Sequence, residues 1–195
     1  MPSISTVVTG IYRQSPAQDP PDRELLINFS ALDPVFDPSP QDGSISVSSS
    51  GKIAVSSFYG IFTFDQDGSN RTYIIESTLD YHHYSAAWSP EGDQLAVLEL
   101  QWDSGAVQSL AVVLYAPDGT NADTLVTMPA TGNQMWLGDK SYSLCWSPDG
   151  SQIAFTRPDG QDVGSHIYTI KTDRTGLTQI TSAAGVTDRS ISWGE

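Results

Sequence analysis

The stretch "YSLCWSPDGSQIAFTR", Tyr142 to Arg157, has a looser copy, "YSAAWSPEGDQLAVLE", at Tyr84 to Glu99. A repeated strand, turn and strand constrains the fold more than any composition, because every copy must find the same kind of packing partner. Aligned on the tryptophan, Trp88, Trp146 and Trp193 recur at intervals of 58 and 47 residues. A degenerate copy, "ISVSSSGKIAVSS", places Val47 at the tryptophan position, 41 residues before Trp88. These intervals suit a unit of four short strands with loops of variable length. The longest contains two extra stretches, "QWDSGAVQS" and "ATGNQMWLGDK", read as insertions.

Within each unit the signals keep one order. An alternating strand ends at the tryptophan. Next comes S-P-E-G or S-P-D-G, in which Pro90 or Pro148 pre-sets φ and Gly92 or Gly150 takes the left-handed conformation beside Asp149. Second strands follow ("KIAVSS", "DQLAVLEL", "SQIAFTR"), then third strands ("GIFTF", "LAVVLYA", "HIYTI"). A further turn ("DQDGSN", "PDGTN", "TDRTG") leads into a fourth strand ("RTYIIES", "DTLVTM", "LTQITS"). The strands are rich in Val, Ile, Thr, Tyr and Phe and are bounded by Gly, Pro, Asp and Asn. The chain therefore reads as all-β.

A four-stranded antiparallel sheet cannot bury both of its faces alone, whereas copies arranged radially can, and the repeated tryptophan supplies flat apolar area between them. The expected architecture is a β-propeller of four-stranded antiparallel blades. "WSPDGSQIAFTR", followed by "IYTI" and "GLTQITS", resembles the TolB-type, WD-like β-propeller repeat, most closely over Tyr142 to Thr181 and then Tyr84 to Thr127. The resemblance implies the fold; it does not imply an active site, because the repeat carries packing and turn residues.

About four blades' worth of chain is present, read as one domain over 1–195. Residues 1–42 form an incomplete N-terminal blade, 43–80, 81–138 and 139–187 form three blades, and 188–195 is the first strand of a closing blade. The expected closure is a small ring with one blade mixed from both termini, since closure removes exposed strand edges. Part of a larger ring is the alternative.

The 195 residues carry 23 acidic and 9 basic side chains, a formal charge of −14. Such a surface repels phosphate backbones, so nucleic acid is not an expected partner. The apolar runs are too short to cross a bilayer as helices, so no membrane insertion is expected. "MPSISTVVTGIYRQ" lacks the basic start and continuous apolar stretch of a signal peptide, which leaves the compartment open, periplasmic or extracellular if the chain is processed. The single cysteine, Cys145, excludes an internal disulfide framework and reads as a buried, inert thiol.

The densest polar cluster is "LDYHHY", containing Tyr81, His82, His83 and Tyr84. It falls where the chain enters an innermost strand, at the mouth of the expected channel. Tyr84, Tyr142 and Arg189 each stand four residues before a tryptophan position and should converge there. No metal site is expected: adjacent strand residues point to opposite faces, and only three histidines exist. "DQDGSN" lacks the run of ligands that ends a calcium loop in a carboxylate and reads as a turn. No G-x-S-x-G elbow occurs.

The reading is a binding or scaffold module without catalysis or cofactor, presenting loops and the channel mouth to a protein or small-molecule partner. The alternatives are a metal-assisted lyase or hydrolase, and a structural subunit that forms homo-oligomers through its terminal strands.

Overall fold

A computed structural model describes residues 10–14, 23–28, 44–57, 59–130, 142–159, 164–188 and 190–194. Among them there is no helix. Strands β1 (Gly10–Gln14) and β2 (Arg23–Asn28) pair as an antiparallel hairpin. Three four-stranded antiparallel sheets follow, each a meander in sequence order. The first contains β3 (Ile45–Val47), β4 (Ile53–Ser57), β5 (Gly60–Phe64) and β6 (Thr72–Glu76). The second contains β7 (Tyr81–Trp88), β8 (Leu95–Asp103), β9 (Ala106–Tyr115) and β10 (Asp123–Pro129). The third contains β11 (Leu144–Trp146), β12 (Gln152–Asp159), β13 (Gly164–Lys171) and β14 (Thr178–Gln179).

The second sheet is apolar on both faces, and each face is covered by a neighbour. Towards the first sheet, Ala86, Trp88, Leu95, Val97 and Val113 pack with Ala54 and Ile61. Towards the third, Leu98, Leu100, Val112 and Leu114 pack with Leu144, Trp146, Ile153 and Phe155. Each such aliphatic side chain contributes about 1.5–3 kcal/mol when fully withdrawn from water. Stacking of sheets, not any single sheet, therefore forms the core.

The tryptophans join this stack in one repeated way. Trp146 Nε1 donates to the carbonyl of Ala87, the residue before Trp88, at 2.9 Å. Trp193 Nε1 donates to the carbonyl of Cys145, the residue before Trp146, at 3.3 Å. Trp88 is buried, yet its Nε1 has no partner among the described residues. At that seam serine hydroxyls take over: Ser44 Oγ accepts from the Ala86 amide and Ser46 Oγ from the Trp88 amide, at 2.8 and 2.9 Å. These bonds hold β3 and β7 side by side and parallel. Residues 190–194, expected to open a further blade, are not assigned to a strand, although Trp193 makes the indole bond of its repeat.

Parallel innermost strands put equivalent turns at one end of the stack. The turns after β3, β7 and β11 share one bonding scheme. The amides of Gly51, Gly92 and Gly150 donate to the carbonyls of Ser48, Ser89 and Ser147. The same serines' hydroxyls accept from the amides of Lys52, Gln94 and Gln152. The first turn forms without proline, so the leading serine is the shared determinant. At the same end lie the turns between third and fourth strands, where Asp67, Asp118 and Asp173 each accept from the amide and hydroxyl of the Ser or Thr two residues on. Gly119 sits there at φ +82, and a Cβ on it would lie 1.9 Å from the Ile74 carbonyl of the first sheet. Arg174 takes the equivalent position at φ 68 and uses its side chain instead, donating to Thr124 O and pairing with Asp123.

"QWDSGAVQS" is not an inserted loop. It lengthens the β8–β9 hairpin, whose two-residue turn is Ser104–Gly105 at φ 52 and 80, the mirror-image turn that matches strand twist.

Two expected outcomes follow from this architecture. Trp146→Ala should destabilise the domain by about 3–5 kcal/mol and Trp146→Phe, which removes chiefly the indole donor, by about 1 kcal/mol. Urea unfolding measures both, and a loss below 1 kcal/mol for the alanine variant would contradict the seam. Acid supplies the second. The bonds from Ser and Thr hold Asp67, Asp118 and Asp173 below the usual carboxylate range and Asp149 at about 2. Their stabilisation is complete above the unfolded carboxylate value near pH 4 and fades as pH falls towards about 2. Because acid also relieves the repulsion of the −14 charge, the diagnostic is a comparison. Asp149→Asn should lose less stability between about pH 5 and 2 than the wild type; parallel curves would refute the assignment.

Candidate functional site

The opposite end of the stack carries the β4–β5, β8–β9 and β12–β13 hairpins and the approaches to β7 and β11. "LDYHHY" enters here. A bulge at Tyr84 interrupts the pairing of β7 with β8, so that His83 faces Glu99 and Ser85 faces Leu98. One extra residue reverses the alternation. His82 and Tyr84 point towards the third sheet, while His83 joins the face that packs on the first.

On the third-sheet side the aromatic rings form a continuous run. Trp102 and His82 lie 5.5 Å apart between centroids, His82 and Tyr84 are stacked at 6.3 Å, and Tyr84 meets Tyr142 at 4.8 Å. Tyr142 comes from the approach to β11, so the run crosses the seam between sheets. Burial, then the neighbouring Tyr84 phenol, push the Tyr142 phenol above its usual range. Burial, then His83, lower His82. Trp102 Nε1 is buried with no acceptor among the described residues. At the same end of the stack, Leu79 is 93% exposed and Tyr81 40%. Tyr142 also borders a narrow crevice, with room for no more than about one water, together with Leu100, Val107, Leu110, Pro129 and Arg157.

On the first-sheet side, His83 is buried in a polar chain. Its Nε2 lies 3.3 Å from Glu99 Oε2, its Nδ1 3.2 Å from Ser77 Oγ, and Tyr115 OH donates to the same carboxylate oxygen at 3.2 Å. A carboxylate only accepts, so Nε2 donates to Glu99. Burial and Glu99 together raise the Tyr115 phenol above its usual range. Serine, histidine and acid thus stand in line, but the Ser77 amide is already bonded to the Tyr59 carbonyl and offers nothing to a developing oxyanion. The chain ties the β6–β7 connection to the second sheet.

Tyr84 and Tyr142 are therefore brought together, whereas His82 and His83 are held on opposite faces of β7. Arg189, the third residue of that alignment, lies outside the described residues. His166 is on β13, with Nδ1 3.9 Å from Asp188 Oδ2, away from both. Among the described residues no group of three His, Cys, Asp or Glu is placed to hold a metal ion. Burial pushes the Cys145 thiol up to about 11, against a weaker opposing bond from the Trp193 backbone. Ser77, Glu99, Tyr115 and Trp102 were not singled out from sequence. The lone carboxylate inside the apolar run "LAVLEL" was the available signal for Glu99.

No family model matches the chain, and no curated protein matches it significantly. Solved structures do. A chain of the nidogen/laminin complex matches with TM-score 0.60 and 14% identity over 89% of this chain and 59% of that one. TolB from Acinetobacter baumannii matches with TM-score 0.57 and 18% identity over 92% and 39%. An oligogalacturonate lyase in complex with manganese matches with TM-score 0.50 and 14% identity over 68% and 33%. The fold is a β-propeller. Each four-stranded sheet is one blade, and the chain spans between 33% and 59% of the length of these three structures.

Proposed function

We propose that the chain is built from TolB-type repeats and acts as a non-enzymatic binding module whose mouth-side rim engages a protein partner. The observation that carries this reading is the aromatic run from Trp102 to Tyr142, with Leu79 and Tyr81 exposed at the same end of the stack. Blade faces are consumed by packing, so recognition falls to the rim, where amphipathic rings give large contact area at low entropic cost. Metal-assisted chemistry on the histidine pair is the weaker reading, because the two rings face opposite sides of β7 and cannot ligate one ion together.

A photoreactive residue in place of Tyr81 should yield a discrete cross-linked protein adduct in cells that make the chain. The same residue in place of Gln66, in a turn at the opposite end, should not. Equal labelling from both positions, or none from Tyr81, would sink the proposal.

The same reading includes ring closure. Ile45 and Val47, on the open face of the first blade, are 57% and 56% exposed, and Trp193 repeats the Trp146 bond. We propose that residues 188–195 open a further blade completed by β1 and β2, making 1–195 one domain. Deleting Ser190 to Glu195 should then lower the unfolding midpoint of the whole domain. An unchanged transition would show that these residues are a tail.

A further inference from the structure

Resting on the mixed-blade reading, we infer that the ring closes between two copies of this chain, with residues 190–194 of one seated against β3 of the other. The two ends of the stack carry matching halves of one latch. Inside the stack, Ser44 Oγ and Ser46 Oγ accept from the amides of Ala86 and Trp88 of β7, at 2.8 and 2.9 Å. These serines stand three residues and one residue before Val47, in "SISV". The last copy reads "SISW", with Ser190 and Ser192 at the same offsets from Trp193. A serine directly before the tryptophan position occurs in these two copies alone; Ala87 and Cys145 fill it in the others. It marks a strand whose next neighbour brings no bonded indole. Trp88 Nε1 has no partner among the described residues, and Val47 has no indole at all.

The donors for Ser190 and Ser192 are presented at the other end of the stack. The Ser48 amide bonds to Lys52 O, and paired amides alternate along an antiparallel strand, so those of Ile45 and Val47 turn away from β4. They hold the places that Ala86 and Trp88 hold in β7. The side chains match as well. The cross-strand rows Ile45–Val55–Phe62 and Val47–Ile53–Phe64 form the face that carries the tryptophan position. At both internal seams that kind of face packs on the preceding blade. Here Phe62 and Phe64 are sealed, but Ile45 and Val47 are 57% and 56% exposed, where Trp88 and Trp146 are 6% and 9%. Ser190 and Ser192 are exposed too. Both halves of the latch therefore stand open in one chain, and a second copy supplies the complement of each. Two chains, each with three blades and a mixed one, make a ring of about eight, within the usual range of roughly four to eight. Its two closing seams are identical, so assembly stops at the pair.

Sedimentation equilibrium of the full chain tests this, in about 0.15 M salt, where the −14 charge is screened beyond about 8 Å. The mass should be twice that of one chain. Val47→Glu, at an exposed position that the fold tolerates, should give the mass of one chain with its unfolding transition retained. Gln66→Glu, which adds the same charge in a turn away from the seam, should leave the doubled mass. Ser192→Ala should weaken the pair about tenfold, because each of the two seams loses a hydrogen bond. Adding Val47→Trp to it should restore pairing, by supplying the indole that the repeat uses elsewhere. A single-chain mass for the unaltered chain at every concentration would overturn the inference. So would a ladder of masses that grows with concentration, or pairing that neither Val47→Glu nor Ser192→Ala weakens. Deleting Ser190 to Glu195 separates the two claims. If the deletion lowers the unfolding midpoint of a chain that never pairs, the second copy alone is refuted. An unchanged midpoint together with no pairing refutes both.

Discussion

Everything in this structure depends on the seam between neighbouring sheets. Leu95 and Val97 on one face of the second blade, and Leu98 and Leu100 on the other, are all essentially sealed from water. No isolated four-stranded sheet could hide both sets. The indole-to-carbonyl bonds of Trp146 and Trp193 fix the angle and height at which one blade meets the next. Apolar area provides the attraction, which is non-directional. The hydrogen bond selects one docking from the many that apolar contact alone would tolerate.

The seams are chemically unequal. Between second and third blades an indole bond is added to a large apolar cluster. Between first and second blades the tryptophan donor has no partner among the described residues, and serine hydroxyls and the Ser77–His83–Glu99–Tyr115 chain hold the two together. Val47 stands where a tryptophan stands elsewhere, and Ser44 and Ser46 mark the same departure from the repeat. Polar bonding has replaced part of the apolar contact there, at the edge where the repeat is most degenerate.

Fold class was legible because the repeat reports a packing problem with few solutions. Strand order followed from turn residues at constant offsets, and Tyr84 with Tyr142 from their equal distance to a tryptophan. What stayed hidden had physical causes. Ser48 closes its turn without proline because a hydroxyl can satisfy the backbone that proline would only pre-shape. Arg174 adopts a glycine-like φ because its side chain finds Asp123 and Thr124 across the seam, a tertiary reward that no local pattern encodes. Trp102 was hidden inside a stretch that looked like an insertion, since Ser104–Gly105 is an unadvertised hairpin turn. The partner of His83 lies across a strand pair whose register is slipped by one residue.

That slip at Tyr84 has a consequence for how such a chain can change over time. Below it, towards Trp88, side-chain phase is locked by two cores, and a substitution on either face disturbs a neighbouring blade. Above it the phase is reset, so His82 is released from the register of the packed portion while still riding on the same strand. The bulge acts as a clutch between scaffold and rim. It lets His82 and Tyr84 face one neighbouring blade while His83 faces the other.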